Sequence, residues 1–172
     1  MADPAAAHAD PQTIVVGLGN PVVGDDGVGW CVADEVERLL AVVGEDEPVP
    51  AVRVERLAIG GLGLMEAISG FRVAILVDAA QFPGRPIGEV RTAPFDELDP
   101  SLTGHIDSAH DMSLHAALDL GRRLGAALPE RIDAVTIQIG ATDEFSETLS
   151  PAVQAAVPVA AAAVMELLRR RS

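Results

Sequence analysis

The 172-residue chain contains no lysine and no tyrosine, and it has a single cysteine, Cys31. Without lysine the protein cannot form a Schiff base or place a P-loop lysine on a nucleotide, and without tyrosine it has no phenolic acid or base. One cysteine excludes an internal disulfide and any Cys-x-x-Cys zinc or redox motif. A metal bound by this chain must therefore use oxygen or nitrogen ligands.

Basic residues are also scarce, because only 12 arginines accompany 26 acidic residues, which gives a formal net charge of −14. A field of that sign repels phosphate backbones and anionic lipid headgroups. Gly, Pro or charged residues also interrupt the longest apolar stretches before they reach about 20 residues, the length of a membrane span. We therefore expect no nucleic acid and no membrane among the partners of this chain.

The N-terminal segment, residues 1–12, is rich in alanine and contains neither lysine nor arginine. It lacks the charged start and apolar centre of an export signal, so we expect a cytoplasmic protein. We predict a flexible tail over residues 1–12 and a single domain over residues 13–172, because domains commonly contain about 100 to 200 residues. Hydrophobic residues at 49% and charged residues at 22% are typical of a globular protein.

Short apolar runs alternate with helical apolar stripes along the chain, which predicts βαβ units and a mostly parallel sheet. The predicted strands cover residues 13–17, 52–58, 72–77, 88–92 and 134–140, and the predicted helices cover residues 27–40, 64–69, 112–128 and 151–171. The strand at 88–92 is short and flanked by prolines, so we expect it at a sheet edge. Pro158 predicts a kink or a late start in the last helix. In such sheets ligands bind beyond the carboxyl ends of the strands.

The most informative segment, Gly17 to Gly29, reads GLGNPVVGDDGVG and joins the first strand to the first helix. Its glycines allow tight turns, and Asp25 and Asp26 stand where a helix N-terminus favours negative charge. The two carboxylates are either N-terminal caps or members of a site. A dinucleotide fingerprint is disfavoured, because Val22 stands where G-x-G-x-x-G requires glycine and paired acids would repel a pyrophosphate.

Two further polar residues follow apolar segments at informative places. Asp78 ends the most strongly apolar run, where it either caps a tight turn or faces a crevice and requires a partner, a metal or solvent. His110 precedes the third long helix, although a single histidine in a loop is more often a surface residue. Together with Asp26 they can meet at one edge of the sheet, where two carboxylates and one imidazole suit a divalent transition metal such as nickel.

Three segments together resemble the signature segments of the nickel–iron hydrogenase maturation endopeptidases. They are GLGNPVVGDDGVG, then VDA at 77–79, then AHDMSL at 109–114, in the order and separation of that family. The resemblance extends from about Ile14 to Leu168. It implies a three-layer, phosphorylase/hydrolase-like α/β fold, with a mostly parallel five-stranded twisted sheet and helices on both faces. It also implies that Asp26, Asp78 and His110 are the catalytic residues and contact the metal.

The same resemblance implies an aspartyl-type, metal-dependent endopeptidase that removes the C-terminal extension of a nickel–iron hydrogenase large-subunit precursor after nickel insertion. The precursor is then the expected partner, its nickel arrives with the substrate, and the resting enzyme need hold no metal. Whether this metal activates water, or only fixes the substrate while a carboxylate acts as base, stays open. The expected substrate-binding residues are Gly19, Asn20, Asp25, Gly60 and Gly61.

One segment departs from the family pattern. Members often carry Asp-Gly-Gly-Thr after the second strand, whereas residues 59–62 of this chain are Ile-Gly-Gly-Leu. The glycines keep the turn, but the acid and the hydroxyl are replaced, which puts the identity of the hydrogenase in question rather than the reaction type. His105 and His115 are competing imidazoles outside the matching segment.

Two other functions share part of these signals. GLGNP also opens bacterial peptidyl-tRNA hydrolases, but this chain lacks the Tyr and the Thr-Arg-His-Asn segment that follow it there, and its charge disfavours tRNA. A non-catalytic nickel-dependent binding or chaperone module for hydrogenase assembly would use the same three residues without hydrolysis. Cys31 lies on the first predicted helix, where we expect a small buried apolar residue rather than a nucleophile.

Overall fold

The computed structural model describes residues 12–42, 51–98, 112–141 and 145–170. Within these ranges five strands form a sheet in the order β2-β1-β3-β5-β4. The strands are β1 (Thr13–Leu18), β2 (Val52–Leu57), β3 (Val73–Ala80), β4 (Val90–Pro94) and β5 (Arg131–Gln138). All neighbours are parallel except β4, which lies at an edge and runs antiparallel to β5. The predicted mostly parallel sheet and its edge strand are confirmed.

Four helices within the described ranges cover both faces of the sheet. They are α1 (Val28–Val42), α2 (Gly61–Ile68), α3 (Leu114–Leu124) and α4 (Pro151–Arg169). Alternate strand residues divide the core into two layers, because successive side chains of a strand point to opposite faces. Val15 and Ile75 pack with α1 and α4, whereas Val16 and Leu76 pack with α2 and α3. This is the predicted three-layer α/β sandwich.

Several element boundaries differ from the prediction, and three of them lie near the carboxyl ends of the strands or at the end of α3. α2 begins at Gly61 rather than at residue 64, because the N–H of Leu64 already donates to the carbonyl of Gly60 at 3.2 Å. α3 ends at Leu124 rather than at residue 128, because Gly125 adopts a φ of 75° and its N–H group donates to the carbonyl of Arg122. β3 continues to Ala80, so Asp78 lies inside a strand rather than after it.

α4 is long and apolar enough to cross a membrane by length and composition alone, which contradicts the expectation that every apolar stretch is interrupted too early. About half of it is buried, with Val153, Ala160 and Val164 in the core against the sheet. Pro158 lies on the exposed side inside the helix, and the helix begins at Pro151, so the predicted late start is wrong. These contacts make α4 a core helix.

The predicted N-terminal tail, residues 1–12, lies outside the described residues except for Gln12. The carbonyl of Gln12 accepts hydrogen bonds from the N–H groups of Arg72 and Val73 at 2.9 and 3.1 Å. Gln12 therefore belongs to the fold and not to a tail. The single domain over residues 13–172 stays a prediction.

Candidate active site

The four parallel strands end at the same edge of the sheet, and we call this edge, which follows Leu57, Leu18, Ala80 and Gln138, the carboxyl edge. Asp78 is the third residue from the end of β3 and is completely buried. Its neighbours Val77 and Ala79 pack with α1 and α4, so Asp78 faces α2 and α3. Burial of a carboxylate is costly unless the protein compensates it, so Asp78 stands out in an otherwise apolar strand.

Asp26 lies in a 3-10 turn, Gly24–Gly27, that follows β1. Its Oδ2 accepts a hydrogen bond from the backbone N–H of Asn20 at 2.8 Å, which fixes the carboxylate near the end of β1. β1 and β3 are paired neighbours, with Gly17 opposite Val77, the residue before Asp78. Asp26, in the turn after β1, and Asp78, among the last three residues of β3, therefore both belong to the carboxyl-terminal part of two adjacent strands.

Two glycines allow the loops at the carboxyl edge to approach one another closely. Gly19 has a φ of 134°, and a Cβ on it would lie 2.0 Å from the carbonyl oxygen of Asp26. Gly61 has a φ of 51°, and a Cβ on it would lie 2.1 Å from the carbonyl oxygen of Met112. Any other residue would force these segments apart. The turn after β2 thus contacts the segment that leads into α3.

The third predicted residue, His110, lies outside the described residues, as does the competing His105. Met112, two residues after His110, is the residue that Gly61 contacts. His115 lies in the first turn of α3 and stacks on Phe95, with ring centroids 4.2 Å apart. Among the described residues no group of three or more His, Cys, Asp or Glu is arranged to hold a metal ion, and the trio that includes His110 stays a prediction.

Asp25 forms a long-range contact rather than capping α1. Its Oδ1 accepts the backbone N–H of Ser150 at 2.6 Å, and its Oδ2 accepts the Ser150 hydroxyl at 2.8 Å. Ser150 is the N-cap residue of α4. Asp25 therefore ties the turn after β1 to the N-cap residue of α4.

Two buried polar residues of β5 belong to this edge and were not predicted. Thr136 is 1% exposed and is the register partner of Asp78. Within the described part of the chain, Thr136 Oγ1 has no hydrogen-bond partner. Gln138 Oε1 accepts the backbone N–H of Phe82 at 2.8 Å, which attaches the loop after β3 to the end of β5. The signal in the sequence was the alternation of Thr and Gln with apolar residues in AVTIQIG.

Cys31 is unsuited to nucleophilic catalysis. It lies on α1, partly buried against the core. Burial, followed by the charge of Asp34, raises the pKa of the thiol above its ordinary value. Because the thiolate is the nucleophile, a raised pKa makes this cysteine less reactive at neutral pH than a free cysteine. The expected apolar role for Cys31 agrees with this environment.

The model of the hydrogenase maturation protease family matches residues 47–167 of this chain, which is more than half of its length. The chain belongs to the hydrogenase maturation protease family. The matched range contains Asp78 and position 110, whereas Asp26 precedes it. The resemblance seen in the three motifs is thus confirmed, and this maturation protease is a peptide-bond hydrolase.

Individual relatives agree with this assignment. The protease is similar to the hydrogenase expression/formation protein HupD of Thiocapsa roseopersicina, with 25% identity over 163 residues, 94% of this chain and 69% of that protein. Its fold resembles the hydrogenase maturating endopeptidase HybD from E. coli, with a TM-score of 0.71, 23% identity and 94% of each chain covered. It also resembles the [NiFe] hydrogenase maturation protease HybD from Thermococcus kodakarensis, with a TM-score of 0.64 and 24% identity. The match covers 91% of this chain and 99% of that chain.

Proposed function

We propose that this maturation protease removes the C-terminal extension of a nickel–iron hydrogenase large-subunit precursor after nickel has been inserted. Membership of the family supplies the reaction class, peptide hydrolysis. The observation that carries the proposal is that Asp26, in the turn after β1, and Asp78, near the end of β3, belong to two adjacent parallel strands. The precursor is the partner, its nickel enters as part of the substrate, and the reaction takes place in the cytoplasm.

Asp26, Asp78 and His110 together would contact the nickel of the precursor. Carboxylate oxygens and an imidazole nitrogen are suitable ligands for this ion, and three protein ligands leave positions for the substrate. Met112 lies against Gly61 at the carboxyl edge, and two residues of chain span at most about 7 Å. A position for His110 at the same edge as the two carboxylates is part of this proposal. Only a precursor that carries nickel would dock productively.

The two aspartates would contact the nickel from different parts of the fold. Asp78 would do so from within β3, where it is buried on the face of α2 and α3. Asp26, whose orientation is set by the Asn20 N–H group, would hold the nickel that polarises the scissile carbonyl. Asp25 would act indirectly, because its contacts with Ser150 position the turn that carries Asp26.

Substrate contacts are proposed at Gly19, Asn20, Gly60 and Gly61, which line the carboxyl edge. Part of their backbone is already engaged, because the Gly19 N–H donates to the carbonyl of Leu57 at 3.2 Å and the Gly60 carbonyl accepts the N–H of Leu64 at 3.2 Å. The substrate would therefore meet the remaining backbone groups and the side-chain amide of Asn20.

Incubation of the enzyme with nickel-loaded and nickel-free precursor tests the proposal, with mass spectrometry of the precursor as the readout. We expect the loaded precursor to lose a C-terminal peptide and the nickel-free precursor to stay intact. Equal trimming of both would refute nickel gating. An intact precursor in a stable complex with the protein would instead favour the non-catalytic binding module.

Substitutions test whether Asp26, Asp78 and His110 are needed for cleavage. Asp26→Asn, Asp78→Asn and His110→Ala are expected to abolish cleavage, with circular dichroism and thermal melting used to verify the fold. His115→Ala is the matched control, since this imidazole stacks on Phe95 and is expected to be dispensable for cleavage. Wild-type cleavage by a folded variant of any of the three residues would contradict its assigned role.

A further inference from the structure

A row of three polar residues crosses the sheet from Asp78 to its edge. Asp78 on β3 pairs with Thr136 on β5, and Thr136 pairs with Arg91 on β4. Paired residues of neighbouring strands point to the same face of a sheet, so all three share the face of α2 and α3. Arg91 is exposed at the outer end of the row.

Arg91 differs from most arginines of this chain in its surroundings. Arg56, for example, forms ion pairs with Asp34 and Glu37, each at 2.6 Å. Arg91 has no such ion pair within the described residues, and its guanidinium lies instead over the ring of Phe82, 5.1 Å from the centroid. A guanidinium stacked on an aromatic ring keeps its N–H groups available in its own plane for an incoming carboxylate.

Phe82, the ring under Arg91, is held in place by a buried residue of β5. The N–H of Phe82 donates to Gln138 Oε1, and the buried Gln138 side chain donates in turn to the carbonyl of Ile139 at 3.1 Å. Phe82 is half-buried as a result. Between Asp78 and Arg91, the Thr136 hydroxyl is buried and has no partner among the described residues. Asp78, Thr136 and Arg91 thus form a row from a buried carboxylate to a guanidinium that stacks on Phe82.

We propose that Arg91, with Phe82 and Thr136, forms a subsite for an acidic side chain of the precursor. The inference rests on the proposed function for its substrate. Neighbouring strands are about 4.8 Å apart, so Arg91 lies about 10 Å from Asp78 across two strand spacings. An extended peptide advances about 3.3 Å per residue, which places the acidic residue about three residues from the peptide bond that is cut. The subsite selects the precursor and takes no part in the chemistry.

Steady-state cleavage of the nickel-loaded precursor by Arg91→Gln, Arg91→Lys and the control Arg123→Gln tests this subsite. Arg123 is exposed in the last turn of α3, away from the carboxyl edge. We expect Arg91→Gln to raise KM about tenfold at an unchanged kcat, because a charged hydrogen-bond partner is lost. Arg91→Lys should be intermediate and Arg123→Gln should equal the wild type. Added salt should raise KM for the wild type more than for Arg91→Gln. A wild-type KM for Arg91→Gln overturns the proposal.

Substitutions in the precursor identify the bound group. Each Asp or Glu within four residues of the cleavage site is replaced in turn by Asn or Gln. One replacement should raise KM about tenfold for the wild-type enzyme and have no further effect with Arg91→Gln. If every replacement leaves KM unchanged, the subsite is refuted. Should the wild type leave the loaded precursor uncut, the proposed function fails, and the precursor Kd then decides the subsite: a roughly tenfold weakening by Arg91→Gln supports it, and an unchanged Kd refutes it.

Discussion

The carboxylate of Asp25 accepts both hydrogen-bond donors of Ser150, the backbone N–H at 2.6 Å and the hydroxyl at 2.8 Å. The two residues are 125 positions apart in the chain. Their contact joins the turn that carries Asp26 to the first residue before α4. The neighbouring aspartates of the DDG motif thus have different environments, since Asp25 contacts α4 and Asp26 contacts Asn20.

Asp25→Ala is expected to lower the free energy of unfolding by about 1–3 kcal/mol, because it leaves the partly buried N–H of Ser150 without its acceptor. Ser150→Ala removes only the hydroxyl bond and should cost about 1 kcal/mol. Urea unfolding measures both. The double variant should lose less than the sum of the two, and strictly additive losses would show that the pair does not act as a unit.

Gly61→Ala is expected to reduce cleavage by more than its loss of stability explains. Its Cβ would meet the Met112 carbonyl at 2.1 Å, so the segment before α3 must move. Gly70→Ala is the matched control, because Gly70 also has a positive φ, 85°, but no atom lies within 4 Å of its Cβ position. The control should lose about 1 kcal/mol and keep its cleavage rate when folded. The comparison combines thermal melting with precursor cleavage, and equal activity in the two variants would contradict a role for the Gly61–Met112 contact.

Cys31 should react with iodoacetamide more slowly at pH 7 than free cysteine does. Burial and Asp34 raise the thiol pKa, so the reactive thiolate is rarer at this pH and becomes abundant only as the pH rises through the raised value. Asp34→Asn removes one of these causes and should speed the reaction modestly. Cys31→Ser should cleave the precursor like the wild type, and loss of cleavage in a folded Cys31→Ser protein would reopen a role for the thiol.

Thr136→Val tests the buried hydroxyl at a position where the two side chains have nearly the same shape. Because Oγ1 has no partner among the described residues, we expect the melting temperature to be unchanged or higher. Precursor KM should nevertheless rise several-fold, because the hydroxyl is part of the proposed subsite. Thr92→Val is the control, because Thr92 is exposed and lies on the opposite face of β4 from Arg91. It should change neither the melting temperature nor KM. An unaltered KM for Thr136→Val would remove Thr136 from the subsite.

The sheet could be predicted because β-branched runs such as TIVVG and RVAILV leave little doubt about buried strands. The start of β5 was missed by three residues, since Arg131 and Asp133 look unsuited to a strand. The structure pairs these two side chains at 2.9 Å, which allows the nearly buried Asp133 to enter the strand. Local composition could not show this compensation.

The placement of Asp26 and Asp78 on adjacent strands could be predicted because each lies in a recognisable motif near the end of a strand, whereas their roles stay predictions. The contact of Asp25 with Ser150 and the row from Asp78 to Arg91 could not, because both depend on which distant segments become neighbours. The edge strand at 88–92 was predicted, but its register with β5 places Arg91 opposite Thr136, and no local pattern encodes that register.

The order of the strands also has a consequence for behaviour in concentrated solution. The outer strands β2 and β4 carry features that discourage further pairing: β2 bears the ion pair of Arg53 with Glu55, and β4 is only five residues long and ends at Pro94, which has no N–H to donate. Edge strands that are short, charged or ended by proline are poor templates for the addition of another strand. The native state should therefore resist fibre growth and aggregation through its edge strands β2 and β4.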